Sequence, residues 1–453
     1  MSSVGSALTS FAVILQVYEL TRSPVAVGGI GVAQMVPTLA AGLLVGPVAD
    51  AVDRRTLVLV TSTCLAAVSA AFAAQAIAGL RLAWLLYALV AVQSSLLAVD
   101  RPARSTFAPS LLAASQLAAG LALDRLSLQI VLTAGPALAG VIAAAPHLGL
   151  QACYLVDTVS FAAALYGVAR PPAMRPHGGT TRPSPRAVAE GISFIRRSKV
   201  LAGAFLADLN ATIFGLPVAL FPAINAERFG GDPRTLGLFT TAIGVGGLAT
   251  ATFSGPVKHV SRQGRAMLCT VAVWGAAFAG FAVAPTLWLT LGLLAVAGAA
   301  DTFTVVFRGA IATAATPDQL RGRVMAADYV VGAGGAQLGN LEAGALGSLT
   351  SPTISALSGG LVTIAGAVVI GLALPAFTRY RRRPHHHTAT VPYAAAPAKT
   401  KDIKTARPAR HTDQAQPTDR RPPPAGQTRR NITSALSPSQ VQRHGKPKRA
   451  LGG

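Results

Sequence analysis

Charge is what most of this sequence lacks. Only 12% of the 453 residues are charged, while 51% carry hydrophobic side chains. Soluble globular chains run at about 25% charged residues, so a soluble-domain reading is excluded. Acids are scarcest, with 17 Asp and Glu against 39 Lys and Arg. Cysteine is nearly missing, and Cys64, Cys153 and Cys269 each fall inside an apolar stretch. A thiol there behaves as a small hydrophobe, which excludes a disulfide framework and any metal-ligand spacing. No nucleophile–base pair or metal cluster is placed to make an enzyme, and no cofactor is implied. The apolar N-terminus lacks a basic leading region and runs on into the next apolar stretch, so a cleavable leader is not expected.

What is present is a series of apolar runs long enough to cross ~30 Å of hydrocarbon. They predict spans at roughly 4–20, 25–48, 57–79, 83–104, 121–145, 150–169, 200–222, 236–257, 267–284, 287–309, 325–348 and 354–377. Residues 1–378 hold 22 basic residues, of which 18 fall on one side of these spans and 4 on the other. That bias places the richer side, with both termini, in the cytoplasm of a multi-pass plasma (inner) membrane protein.

The chain also repeats itself. Gly46-Pro47-Val48, in the stretch GPVADAVDRR, recurs 209 positions later as Gly255-Pro256-Val257, and Gly28 matches Gly237 at the same offset. At an offset of 204, Arg104 matches Arg308, Asp124 matches Asp328, and Gly135 and Gly140 match Gly339 and Gly344. The expected fold is all-α: a twelve-span bundle of two pseudo-symmetric halves, 1–169 and 200–378. The halves are joined by a cytoplasmic linker over 170–199 and followed by a basic tail over 379–453. Two parallel repeats of this kind form a site at mid-membrane and rock around it. The end of the linker, Ala187 to Lys199, has the pattern of a short amphipathic helix lying on the membrane surface.

The tail holds 17 of the basic residues against Asp402, Asp413 and Asp419. It is too polar to bury a core and is expected to be disordered. It either stays solvated or binds anionic lipid headgroups, worth about 1 kcal/mol per basic residue. Nucleic acid is not an expected partner, because the tail lacks aromatics on which bases stack. Span one looks cut short: Val4 to Tyr18 would reach only ~22 Å at 1.5 Å per residue. We therefore expect that the first span is truncated.

Ionisable and amide side chains inside apolar spans are the candidate site residues, because a charge at a span centre costs at least ~2.5–3.5 kcal/mol. The carboxylates are Asp157, Asp208, Asp301 and Glu342. Burial in hydrocarbon favours the protonated form of a carboxylate, as proton coupling requires; each is otherwise a structural hydrogen-bond partner. Gln16, Gln34, Gln93, Asn210, Gln337 and Asn340 either contact a substrate in the cavity or hold helices together.

The stretch from Gly46 to Arg55 resembles the loop between spans two and three of the major facilitator superfamily, roughly G-x-x-x-D-R-x-G-R-R. Gly46, Asp50, Arg54 and Arg55 fit, whereas Ala51 and Asp53 replace the usual Arg and Gly. Tyr18 to Pro24, Arg101-Pro102-Ala103-Arg104 and Arg321 to Met325 resemble the branch holding enterobactin exporters and macrolide efflux proteins. Gly135-Pro136-Ala137-Leu138-Ala139-Gly140 resembles the superfamily's antiporter signature, a helix bend associated with export. The resemblance covers about residues 1–378. It implies a monomeric secondary transporter that exports an amphipathic small molecule by proton antiport and alternating access. In it, Gly46, Asp50, Asp53, Arg54 and Arg55 control conformational switching. The alternatives are an importer of a polar metabolite, or a membrane scaffold that presents the basic tail.

Overall fold

The structure is a computed structural model that describes residues 2–44, 53–105, 114–146, 149–169, 185–252 and 260–381. Gly46, Asp50, linker residues 170–184, the second copy of the glycine–proline motif and the tail beyond Arg381 lie outside these residues. The first six spans are Ser2–Thr21, Pro24–Leu44, Arg54–Ile77, Ala83–Ser105, Ala114–Ala143 and Gly149–Ala169. Spans eight to twelve are Pro233–Thr252, Gln263–Val283, Leu287–Ala315, Arg321–Leu349 and Pro352–Ala373. Span seven is broken, with Lys199–Phe214 and Phe221–Arg228 flanking a three-residue 3-10 turn. Ten of these segments are by themselves long and apolar enough to cross a membrane, and Gly149–Ala169 and Arg321–Leu349 complete the bundle.

Span one is helical over 20 residues, about 30 Å at 1.5 Å per residue, longer than the fifteen-residue stretch from Val4 to Tyr18. Ser10 Oγ bonds Ser6 O, and Thr9 and Gln16 are buried against other spans, so its polar side chains are absorbed without ending the helix. Span seven runs on to Arg228 where a long connection is predicted, because the apolar pattern hides the interruption at Gly215-Leu216-Pro217. Trp274 donates to Gly215 O at 2.6 Å and Ala219 N–H donates to Asn340 Oδ1 at 3.2 Å, so neighbouring spans satisfy groups that the break frees. The amphipathic linker helix forms over Pro185–Arg197 and docks on span eleven. Ile195 is buried, Gly191 abuts the Arg323 carbonyl, and Glu190 pairs with Arg323 at 2.8 Å.

The repeat is visible in how spans pack. Spans one, two, three and four meet six, four, six and three respectively, and spans seven, eight, nine and ten meet twelve, ten, twelve and nine. Spans one with five and seven with eleven complete the correspondence. Helices in lipid associate through close packing more than through hydrophobic burial, and repeated glycines provide it here. A Cβ on Gly135 would sit 2.8 Å from Ala7 of span one, and one on Gly339 would sit 2.2 Å from Thr212 O of span seven. Each half thus uses the matched glycine for the matched contact.

Two seams join the halves, span two with eleven and span five with eight. Gly28 lies against the Asn340 carbonyl and Gly344 against the Pro24 carbonyl, while Gly140 and Gly237 approach each other with Pro136 O facing Gly237. These residues sit in the half of the bundle that ends in the short connections 22–23 and 229–232, the short-loop face. The opposite end, where the linker helix docks, is the linker face. Pro136 lies inside span five, and its motif places small residues on a seam.

Candidate functional site

Asp53, the last acid of the GPVADAVDRR stretch, is the N-cap of span three. Its carboxylate accepts from Arg55 N–H at 2.9 Å and Thr56 N–H at 3.2 Å. Both bonds satisfy donors that a helix start leaves unpaired. Asp53→Ala should therefore cost about 1 kcal/mol of stability, read by thermal unfolding in detergent, while Asp53→Ser should restore most of it. Arg54 opens the same helix, and Arg55 is half-buried.

The polar residues inside the spans fall into separate groups. In the N-terminal half, Asp157 is fully buried and accepts from Thr9 at 2.8 Å and Ser69 at 2.7 Å, with no hydrogen-bond partner for its Oδ1 among the described residues. Gln16 exchanges hydrogen bonds with Gln75 at 3.2 and 3.0 Å and accepts from Tyr154 at 2.7 Å. That makes Gln16 a tie between spans one, three and six. Gln93 is buried on span four, and its amide nitrogen has no hydrogen-bond partner among the described residues. Nearer the linker face, Asp100 pairs with Arg104 and accepts from Thr61 at 2.6 Å, and Arg104 also donates to Ser62 at 2.6 Å.

The C-terminal half holds the densest charge. Arg308 of span ten pairs with Asp208 of span seven and, at 3.3 Å, with Asp328 of span eleven. Asp208 is 3% exposed. Asp301 lies seven residues before Arg308, two turns up the same face of span ten, within electrostatic reach of both Arg308 and Asp208. Two carboxylates therefore hold one guanidinium within the bundle, and a third lies in its field. Charged groups this far from water need partners, and Arg308 serves two.

The sequence marks Asp208 and Asp301 as site residues but not Arg308 and Asp328. Its signal for those two is their match to Arg104 and Asp124 in the repeat. The two halves use the matched arginine differently: Arg308 bridges spans seven and eleven, whereas Arg104 pairs within its own span and reaches Ser62 of span three.

Between the halves, Gln337 donates to Gln34 at 3.2 Å. Asn210 does not join its near neighbour Asp208; it donates to Thr363 O at 2.9 Å. Asn340 holds the break in span seven. Glu342 is half-buried on span eleven and makes no hydrogen bond or ion pair among the described residues. The six amide candidates thus do not form one pocket: Gln34 and Gln337 meet across the seam, and Gln16, Asn210 and Asn340 tie helices.

Comparison with known proteins decides the family. The profile described as transmembrane secretion effector matches residues 1–401. The chain belongs to that family. It is a multi-pass transporter of the major facilitator superfamily, and its substrates are accordingly small molecules. Among relatives of this secretion effector, the enterobactin exporter EntS of Shigella boydii is 25% identical over 286 residues, covering 62% of this chain and 67% of that one. EntS of an Escherichia coli strain is 24% identical over the same length. Solved structures share its fold at low identity. The bacterial homolog of the human lysosomal transporter Spinster matches with a TM-score of 0.60 at 13% identity, covering 84% of this chain and 98% of that one. A bacterial homologue of ferroportin matches with a TM-score of 0.59 at 17% identity, covering 83% and 96%.

Proposed function

We propose that this secretion effector exports an amphipathic small molecule from the cytoplasm in exchange for protons. The observation that carries the reading is Arg308 shared between Asp208 and Asp328, with Asp301 two turns away. With every group ionised, three negative charges face one positive charge, and a proton is the simplest counter-charge. A proton on Asp208 would weaken its hold on Arg308 and leave the guanidinium to Asp328. Spans seven, ten and eleven would then shift relative to one another.

Span eleven carries that change to the interface between halves. Gln337, which meets Gln34 of span two, lies nine residues from Asp328, about 13 Å along the same helix. The glycine seams are closed toward the short-loop face, and the basic-residue bias assigns the linker face to the cytoplasm. This conformation is then read as the state closed to the outside. Proton binding to the cluster and release of substrate outward would be linked through the seam contact. On this reading the GPVADAVDRR loop sets the rate of switching rather than substrate affinity, and the protein acts as a monomer. Similarity to enterobactin exporters favours a siderophore-like amphipathic cargo, and a macrolide-like or other drug is the other candidate.

The test is efflux from cells expressing the chain, loaded separately with enterobactin and with a macrolide. Efflux of at least one should stop when an uncoupler collapses the proton gradient, and Asp208→Asn should reproduce that loss without an uncoupler. Efflux indifferent to both would refute proton coupling.

A further inference from the structure

Where spans nine and twelve reach the linker face, they part to leave an open groove of 790 Å³. Four arginines line its mouth: Arg262 and Arg265 at the start of span nine, and Arg379 and Arg381 just past the end of span twelve. All four are exposed, and no carboxylate among the described residues pairs with any of them. Among the described residues no acid lines the groove. Four guanidinium groups collected around one cleft repel one another unless an anion lies between them.

Deeper in, the groove is apolar, with Leu268, Val368 and Leu372 along its walls. Gly371 leaves the floor open, since even a Cβ there would come within 3.3 Å of Leu268. Further toward the short-loop face the two spans close together, where a Cβ on Gly275 would meet the Gly360 carbonyl at 2.6 Å. The mouth is held in place by Phe377. Its fully buried ring lies against Gly203, and its carbonyl lies against Gly264. Charge at the membrane face leading into an apolar slot along two spans matches an ionised phosphate carrying acyl chains.

We propose that this groove binds one anionic glycerophospholipid from the linker-face leaflet. Its phosphate lies among the four arginines and an acyl chain runs along Leu268, Val368 and Leu372. The basic tail is a poor rival occupant, because residues 382–453 carry 15 Lys and Arg against 3 Asp.

Cys269 opens onto the groove and is exposed, so it serves as a built-in reporter. The full chain, in a Cys64→Ser background, is purified into zwitterionic detergent and supplied with phosphatidylglycerol, phosphatidylcholine or inorganic phosphate. The rate of maleimide labelling at Cys269 is followed, and lipid retention is measured by native mass spectrometry. Phosphatidylglycerol should slow labelling at least tenfold, and the other two should not. Combined Arg265→Gln and Arg379→Gln should abolish that protection, while Arg321→Gln, on the same face but outside the groove, should preserve it. Val368→Trp, at an exposed wall position, should also lower phosphatidylglycerol retention with all arginines intact. Equal protection by phosphatidylcholine, protection by inorganic phosphate alone, or retention unchanged in both groove variants would overturn the proposal.

Discussion

Arg308→Gln should reduce transport at least a hundredfold and destabilise the bundle by roughly 3–5 kcal/mol, the range for removing one partner of a buried ion pair. The size follows from the number of acids that depend on this side chain. Asp208 and Asp328 both pair with it, and Asp301 lies within its field. Taking the guanidinium away leaves three carboxylates without a counter-charge among spans seven, ten and eleven. Adding Asp208→Asn to Arg308→Gln removes one of those charges. Stability should then recover in part, read by thermal unfolding, while transport should not. A double variant that transports normally would show that the cluster is only a structural clamp.

Gly140→Leu and Gly237→Leu should each reduce transport to background for a different reason. A Cβ at Gly140 would lie 2.6 Å from the Pro233 carbonyl, and one at Gly237 would lie 2.5 Å from the Pro136 carbonyl. Backbone atoms cannot step aside as a flexible side chain can, so spans five and eight must separate. Each half keeps its internal packing, and the protein should fold but favour the conformation in which this seam is open. Spin labels at Ala144 and Arg234, on the short-loop ends of spans five and eight, should report a longer distance in both variants. Gly292→Leu is the control, because among the described residues nothing lies within 4 Å of a Cβ there. A normal rate in Gly140→Leu would mean that the seam need not close during the cycle.

Much of this architecture can be read from the residues. Apolar runs mark the spans because a helix must be about twenty residues long to cross hydrocarbon. The matched glycines mark the seams, since Gly28, Gly140, Gly237 and Gly344 are needed wherever two helices touch backbone to backbone. The break in span seven is hidden because Leu216 and Val218 continue the apolar pattern through it. Only the hydrogen bonds of Trp274 and Asn340 show why it is tolerated. The linker helix is legible in its amphipathic spacing, but its partner is not, because span eleven and a lipid surface both accept an apolar face.

The site is less legible than the fold. The high cost of a charge in a span brings out Asp208 and Asp301, yet nothing in one dimension shows that an arginine 100 and 7 residues away pairs with the first and lies near the second. Asn210 illustrates the limit from the other side. Two positions from Asp208, it turns to Thr363 of span twelve because successive helix residues point about 100° apart.

The central claim, that this acid–arginine cluster couples proton movement to export, is tested most directly in proteoliposomes. Purified protein is reconstituted, a pH gradient is imposed, and accumulation of enterobactin or a macrolide against its own gradient is followed with and without a protonophore. The account predicts accumulation driven by the pH gradient and abolished by the protonophore. It also predicts that Asp208→Asn lets substrate equilibrate at most, without accumulating it. Uphill accumulation that persists in Asp208→Asn, or that ignores the pH gradient in the unmodified chain, would contradict it.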